Sequence, residues 1–144
     1  MSDRRGADPG RADVTDRIVV SAVVFRDEAG RVLTVRKRGT RLLMFPGGKP
    51  EPSETAEQAA VREVREEIGV AIEAGDLQPL GRFDAPAANE PGRTVRAVVF
   101  AHPFAEATEP RAEIEQLEWV DPAAADDRIA PLLRDAVFPA LLGG

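Results

Sequence analysis

The sequence predicts an α/β domain in which a mixed β-sheet is covered by helices on more than one side. Three observations carry that prediction. An unbroken β-branched run lies near the start, a capped, glutamate-rich helix occupies the middle, and the apolar segments follow the order β-β-β-α-β-β-β-α. With 144 residues, 43% hydrophobic and 31% charged, the chain suits one globular domain with its own core.

Each element has a local reason. Residues 1–16 are charged and contain Gly and Pro, which predicts a flexible tail ahead of a domain at 17–144. Ile18 to Phe25 (IVVSAVVF) is a continuous apolar run suited to a buried strand. Asp27 to Gly30 supplies a turn, and Val32 to Val35 and Leu42 to Phe45 predict two further short strands. Pro46, Gly47, Gly48, Pro50 and Pro52 then impose a loop. Thr55 with Gln58 has the form of a capping box, Ala56 to Ile68 is rich in helix formers, and Gly69 is a natural stop. Leu77 to Ala85, Thr94 to His102 and Glu115 to Val120 predict strands. Pro131 to Leu142 predicts a terminal helix with Leu132, Leu133, Val137 and Leu141 on one face.

Composition narrows the function classes. The chain has no cysteine, so disulfides, thiolate metal sites and cysteine nucleophiles are excluded, and a cytoplasmic location is expected. No apolar run approaches the roughly 20 residues of a membrane helix, and the N-terminus lacks the apolar stretch of a secretory signal. The net charge of −6 is opposite to that of most nucleic-acid binders. An acidic protein acting on a phosphorylated substrate needs cations to bridge the two, which points to metal.

The chemistry concentrates between Gly48 and Val70. At about 100° per residue, Glu63 and Glu67 lie nearly in line on the helix, and Glu66 flanks them. Ala56, Ala59 and Ala60 keep that side of the helix small. Val61, Val64 and Ile68 form the adjoining apolar stripe, and Arg62 stands beside Glu66. Glutamates at these spacings repel by a few tenths of a kcal/mol per pair, and a hard divalent cation with oxygen ligands offsets that cost. The helix by itself leaves two readings open, a solvated acidic face and a cation site.

Loop and helix together resemble the Nudix box, which reads Gly, five residues, Glu, seven residues, then Arg-Glu-aliphatic-any-Glu-Glu-any-Gly-aliphatic. Gly48, Glu54, Arg62, Glu63, Val64, Glu66, Glu67, Gly69 and Val70 meet every specified position. At a background of roughly 7% for each fixed residue, chance agreement is on the order of one in 10⁸, so the match is specific. Phe45, Pro46, Gly47 and Lys49 also fit the family, while Ser53 departs from a common glycine outside the defining pattern. The resemblance implies the Nudix fold, a mixed β-sheet sandwiched between α-helices.

It also implies a division of labour. Glu63, Glu66 and Glu67 would bind Mg²⁺ or Mn²⁺, with a loop carbonyl near Gly48 as a further ligand. Arg62 would hold the glutamates by charge-assisted hydrogen bonds, and Glu54 would act similarly from the loop. The metal would lower the pKa of a bound water and stabilise displacement at phosphorus. The general base would be Glu63 or a downstream acid, for which Glu113, Glu115 and Glu118 are candidates. Glu63 ranks first because the box fixes its position; the other three also read as ordinary strand-end charges.

Other residues attract less weight. His102 is the sole histidine, so no histidine-based triad can be built, and it reads as a surface or satisfied ring. Trp119 reads as core packing, and the run Arg36, Lys37, Arg38 with Arg41 as either solvated charge or phosphate contacts.

Among Nudix subclasses, Leu33, Thr34 and Arg36 echo the coenzyme A motif, but the spacing from Arg41 to Phe45 is too short. The tyrosine of the dinucleoside-polyphosphate subclass is missing, and Pro86 is a weak match to the ADP-ribose proline. The expected activity is Mg-dependent hydrolysis of a diphosphate bond, with a nucleoside triphosphate giving monophosphate and pyrophosphate. An ADP-ribose or nucleotide-sugar pyrophosphatase is the alternative. A non-catalytic nucleotide-sensing module is the rival from another class, disfavoured because every expected ligand stands. The expected partner is a small-molecule nucleotide. DNA and membranes are not expected, RNA is disfavoured by the acidic balance, and a homodimer is left open.

Overall fold

The computed structural model describes residues 17–106 and 109–143; the expected tail at 1–16 lies outside the described residues. The apolar run forms β1 (Arg17–Phe25), the centre of the molecule. Around it lie β2 (Val32–Lys37), β3 (Gly47–Gly48), helix α1 (Ala56–Ile68), β4 (Gln78–Pro86), β5 (Thr94–His102) and β6 (Ile114–Val120). One sheet has the order β3-β1-β5-β4, and β2 pairs with β6 in a second. β1 and β5 run parallel over their whole length, whereas β3 and β4 are antiparallel to their neighbours, so the sheet is mixed as expected.

Alternation along β1 builds both sides of the core. Ala22 and Val24 join a cluster with Leu133, Val137 and Phe138 of the C-terminal helical segment. Val23 and Phe25 join a second cluster with Ala60, Val64 and Ile68 of α1. A strand buried on both faces needs apolar residues at every position, which is why this segment reads as an unbroken run. Helical layers therefore cover opposite faces of the sheet. Among the described residues no helix is long and apolar enough to cross a membrane.

Two elements differ from expectation. Leu42 to Phe45 is not a continuous strand. Met44 exchanges two hydrogen bonds with Val35, of 2.7 and 2.8 Å, while Leu43 bonds instead to the backbone of Arg128 and Ala130. Adjacent residues serve different neighbours, so no ladder forms; the short strand in this region is Gly47–Gly48. The terminal helix is also not regular. Leu132–Val137 is π-wound and only Phe138–Leu141, here α2, is α-helical. In a continuous α-helix the Pro139 ring would collide with the carbonyl four residues back, that of Asp135. The wider turn, with the Phe138 N–H bonded to the Leu133 carbonyl, accommodates it. Leu132, Leu133 and Val137 are buried and Leu141 packs against them, so the shared face survives.

Gly47 fixes how close the loop comes to β1. Its φ is 151°, and a Cβ there would collide with the Ser21 carbonyl. Gly47→Ala should therefore destabilise by more than the roughly 1–3 kcal/mol of backbone strain alone. Gly39→Ala, also at positive φ but with nothing within 4 Å of its Cβ, should stay within that range. Urea denaturation of both variants checks the ordering; equal losses would refute it.

Candidate active site

Helix α1 is set by its ends. The Thr55 hydroxyl accepts the Gln58 N–H at 3.1 Å, the Gln58 side chain accepts the Thr55 N–H at 2.9 Å, and Gly69 closes the helix at φ 70°. Ala59, Ala60, Val64 and Ile68 are buried, and the Ser21 hydroxyl donates to the Ala56 carbonyl at 2.8 Å. The helix is thus fixed against β1 along its length, with the glutamate face turned to the glycine loop.

Arg62 ties that loop to the helix. Its guanidinium makes a two-pronged contact with Glu54, with bonds of 2.7 and 2.9 Å, and donates to the Lys49 carbonyl at 3.1 Å. It also reaches Glu63 and Glu66, each at 3.3 Å. Hydrogen bonds from the guanidinium, joined by the Glu51 N–H, draw the Glu54 carboxyl down to a pKa of about 2. In return Arg62 holds its proton more tightly than usual, chiefly through Glu54.

The other glutamates differ in environment. Glu67 is 2% exposed and accepts the Gly47 N–H at 3.0 Å. Burial pushes its carboxyl up to about 8; the Gly47 bond opposes the rise and the nearby Glu63 charge adds to it. Glu63 is half-buried against Gly48, where a Cβ would collide with its carboxylate. Burial raises its pKa, Arg62 opposes, and Glu66 adds to the rise. Glu66 is exposed and turned to Arg62. Among the described residues no three acidic or imidazole groups converge on one point. Carboxylates that repel one another take the nearest cation, and Arg62 draws Glu63 and Glu66 to itself.

The donor set nevertheless fits a hard divalent cation. Two carboxylates one helical turn apart face a glycine loop that admits them closely, Glu63 made a poorer anion by burial and the Glu66 charge, Glu67 by burial and the Glu63 charge. Arg62 contacts Glu63 and Glu66 directly, and Glu54 contacts Arg62.

The three downstream acids separate clearly. Glu115 pairs with Arg36 at 2.8 Å and Glu118 with Arg128 at 3.1 Å, both away from the cluster. Glu113 lies near enough for its charge to raise the Glu67 pKa, and it pairs with Lys37 at 3.5 Å. His102 packs edge-on against Phe25 and its Nδ1 is 2.8 Å from the Pro103 carbonyl, away from the cluster. Trp119 packs on the second core cluster and stacks on Phe104.

Sequence reasoning left substrate contacts unknown. A cavity of about 380 Å³ opens beside the cluster. It is lined by Ile18, Val20 and Val95 of the sheet, by Leu132 and Leu133, and by Asn89. Its charged lining residues are Lys37, Lys49, Glu63 and Glu90. These residues come from distant segments and carry no spacing that marks them; in sequence the apolar ones look like ordinary core.

The NUDIX domain family model matches residues 15–140. The chain belongs to the Nudix hydrolase family. It is 41% identical over 73 residues to the 8-oxo-dGTP diphosphatase of Haemophilus influenzae, a match covering 48% of this chain and 54% of that protein. The chain thus spans about half the length of that curated relative. It is 31% identical over 111 residues to the CTP pyrophosphohydrolase of Escherichia coli, covering 74% of this chain and 77% of the relative. The MutT protein of Methanosarcina mazei Go1 shares the fold, with a TM-score of 0.71 at 22% identity over 89% of this chain and 96% of that one.

The buried carboxyl of this Nudix domain has a measurable consequence in metal-free protein. Glu67 holds its proton to about 8 when folded, against an ordinary value of 4.5. Its contribution is fully present below the unfolded value and is lost as pH rises through about 8. Metal-free protein should therefore lose stability, on the order of a few kcal/mol, between pH 5 and pH 8. Glu67→Gln should remove most of that loss. Denaturation in chelator at both pH values reads it; an unchanged pH dependence in the variant would refute the assignment.

Proposed function

We propose that the protein is a divalent-metal-dependent pyrophosphohydrolase that uses water to split a diphosphate bond of a small nucleotide, with Mg²⁺ or Mn²⁺ as the metal. The observation that carries this reading is the Glu63–Glu67 pair, set against the Gly47–Gly48 loop beside a largely apolar cavity that Lys37 and Lys49 also line. The apolar lining suits a nucleobase and the two lysines its phosphates. A nucleoside triphosphate, giving monophosphate and pyrophosphate, is the favoured substrate class, because the two sequence relatives above are named for such substrates. The net charge of −6 disfavours RNA, and the cysteine-free composition suits the cytoplasm.

Glu63 and Glu67 would hold the metal, with Glu66 joining from the solvent side and the Gly48 backbone close by. The bound cation would supply charge neutralisation and an acidified water. Arg62 keeps Glu63 and Glu66 in place, and Glu54 keeps Arg62 in place. For the general base, the sequence ranks Glu63 first, but the geometry supports Glu113 better. Glu63 is engaged by Arg62 and packed against Gly48, whereas the Glu113 carboxylate is 62% exposed beside the cluster. A carboxylate that holds the metal is not also free to take the proton of the attacking water.

Assay of a nucleotide panel with Mg²⁺ should release pyrophosphate, and chelation should abolish turnover until metal is restored; full activity after exhaustive chelation would sink the proposal. Glu67→Gln should retain the fold and lose turnover by about 10²-fold or more. Metal titration then separates the bases. Saturating Mg²⁺ should partly rescue Glu63→Gln but not Glu113→Gln, and the reverse pattern would return the role to Glu63.

A further inference from the structure

We propose that Lys37 is a substrate-positioning residue whose ammonium exchanges partners, from the Glu113 carboxylate in the free protein to a phosphate oxygen of the bound nucleotide. This rests on the pyrophosphohydrolase reading above. Lys37 is the last residue of β2 and lies on the strand face of Leu33 and Val35, which pack in the α1 cluster. Its register against β6 shifts between Arg36 and Lys37, skipping Glu115, so that Ile114 stands opposite Lys37 and Glu113 follows beside it. The side chain lines the cavity with Gly48, Lys49 and Glu63. Its charge also eases ionisation of both Glu63 and Glu67.

The neighbouring cations are engaged elsewhere. Arg36 is bonded to Glu115, Gln116 and the Thr40 carbonyl, and Arg41 to the Asp127 carbonyl. Lys37 is the cation of this run that combines a place in the cavity with a partner held at 3.5 Å.

Both backbones are held, that of Lys37 within β2 with its carbonyl accepting the Thr40 N–H at 3.0 Å. The difference lies in the side chains, a two-carbon stem on Glu113 against four carbons on Lys37. The backbone of Glu113 is fixed: its carbonyl accepts the Arg38 N–H at 2.7 Å, and the Arg111 N–H binds the Glu67 carbonyl at 2.8 Å. Between them Ala112 is held at φ 54°, a conformation that persists in a non-glycine residue where its surroundings enforce it. Lys37 carries its charge on the longer, more flexible stem. The pair is partly open to solvent, with side chains 34% and 62% exposed, so it is weak. A diphosphate in the cavity offers a stronger, charge-assisted acceptor. Lys37 therefore moves, Glu113 stays, and substrate binding leaves Glu113 an unpaired carboxylate beside the cluster. In the free protein Glu113 competes with substrate for the ammonium.

The test is equilibrium binding of a non-hydrolysable α,β-methylene nucleoside triphosphate with Mg²⁺, by calorimetry, with steady-state kinetics alongside. Lys37→Gln should weaken binding about tenfold and Lys37→Arg should largely preserve it. Glu113→Gln should tighten binding about two- to fivefold by removing the competitor, and that gain should vanish in the Lys37→Gln background. Tightening that persists without Lys37, or a Glu113→Gln variant that does not tighten, would overturn the exchange. A Glu113→Gln variant that tightens yet keeps full turnover supports the exchange and removes Glu113 as base. Failure to hydrolyse any nucleotide would instead remove the underlying activity.

Discussion

The two-pronged contact between Arg62 and Glu54 is the constraint on which the rest of the site depends. The loop from Gly47 to Glu54 contains two prolines and little regular structure, and would otherwise have few reasons to hold one shape. Arg62 supplies them by binding Glu54 through both prongs and Lys49 through its carbonyl. A lysine at this position could make a point contact but not the fork, because only the guanidinium presents parallel donors in a fixed plane. Because the same group also reaches Glu63 and Glu66, loop position and glutamate position are set together.

The helix tolerates three nearby glutamates because their environments differ. Glu66 stays in solvent, Glu63 is half-buried with a guanidinium beside it, and Glu67 is buried with one backbone donor. Desolvation of Glu67 is a standing cost that a hydrogen bond from Gly47 only partly offsets. A packed core would not keep such a group for stability. Its position, facing a loop that has no Cβ at Gly47 or Gly48, is what supports reading the cluster as a cation site rather than a solvated face.

The site also depends on β1 being buried from both sides. Val23 and Phe25 seat α1, while Ala22 and Val24 seat the C-terminal helical segment. The cavity borders the second of these layers, lined by Ile18 and Val20 of β1 and by Leu132 and Leu133. Leu132 and Leu133 belong to the π-wound turn ahead of Pro139, so the irregular helix end helps shape the cavity.

Much of this was written locally in the sequence. The burial of β1, the capping box at Thr55 and Gln58, the stop at Gly69 and the line from Glu63 to Glu67 follow from side-chain periodicity and hydrogen-bonding capacity, which act within a few residues. The path of Leu43 and Met44 did not, because two different neighbours compete for adjacent backbone groups. Nor did the choice among Glu113, Glu115 and Glu118, or of Lys37 from its basic run. Those depend on which strand face a residue takes and on a register shift between β2 and β6. The sequence by itself determined helix α1 and the line of its glutamates, because helical spacing is a local property. The tertiary structure alone decided the cavity and its charged lining, because their residues meet only when distant segments pack.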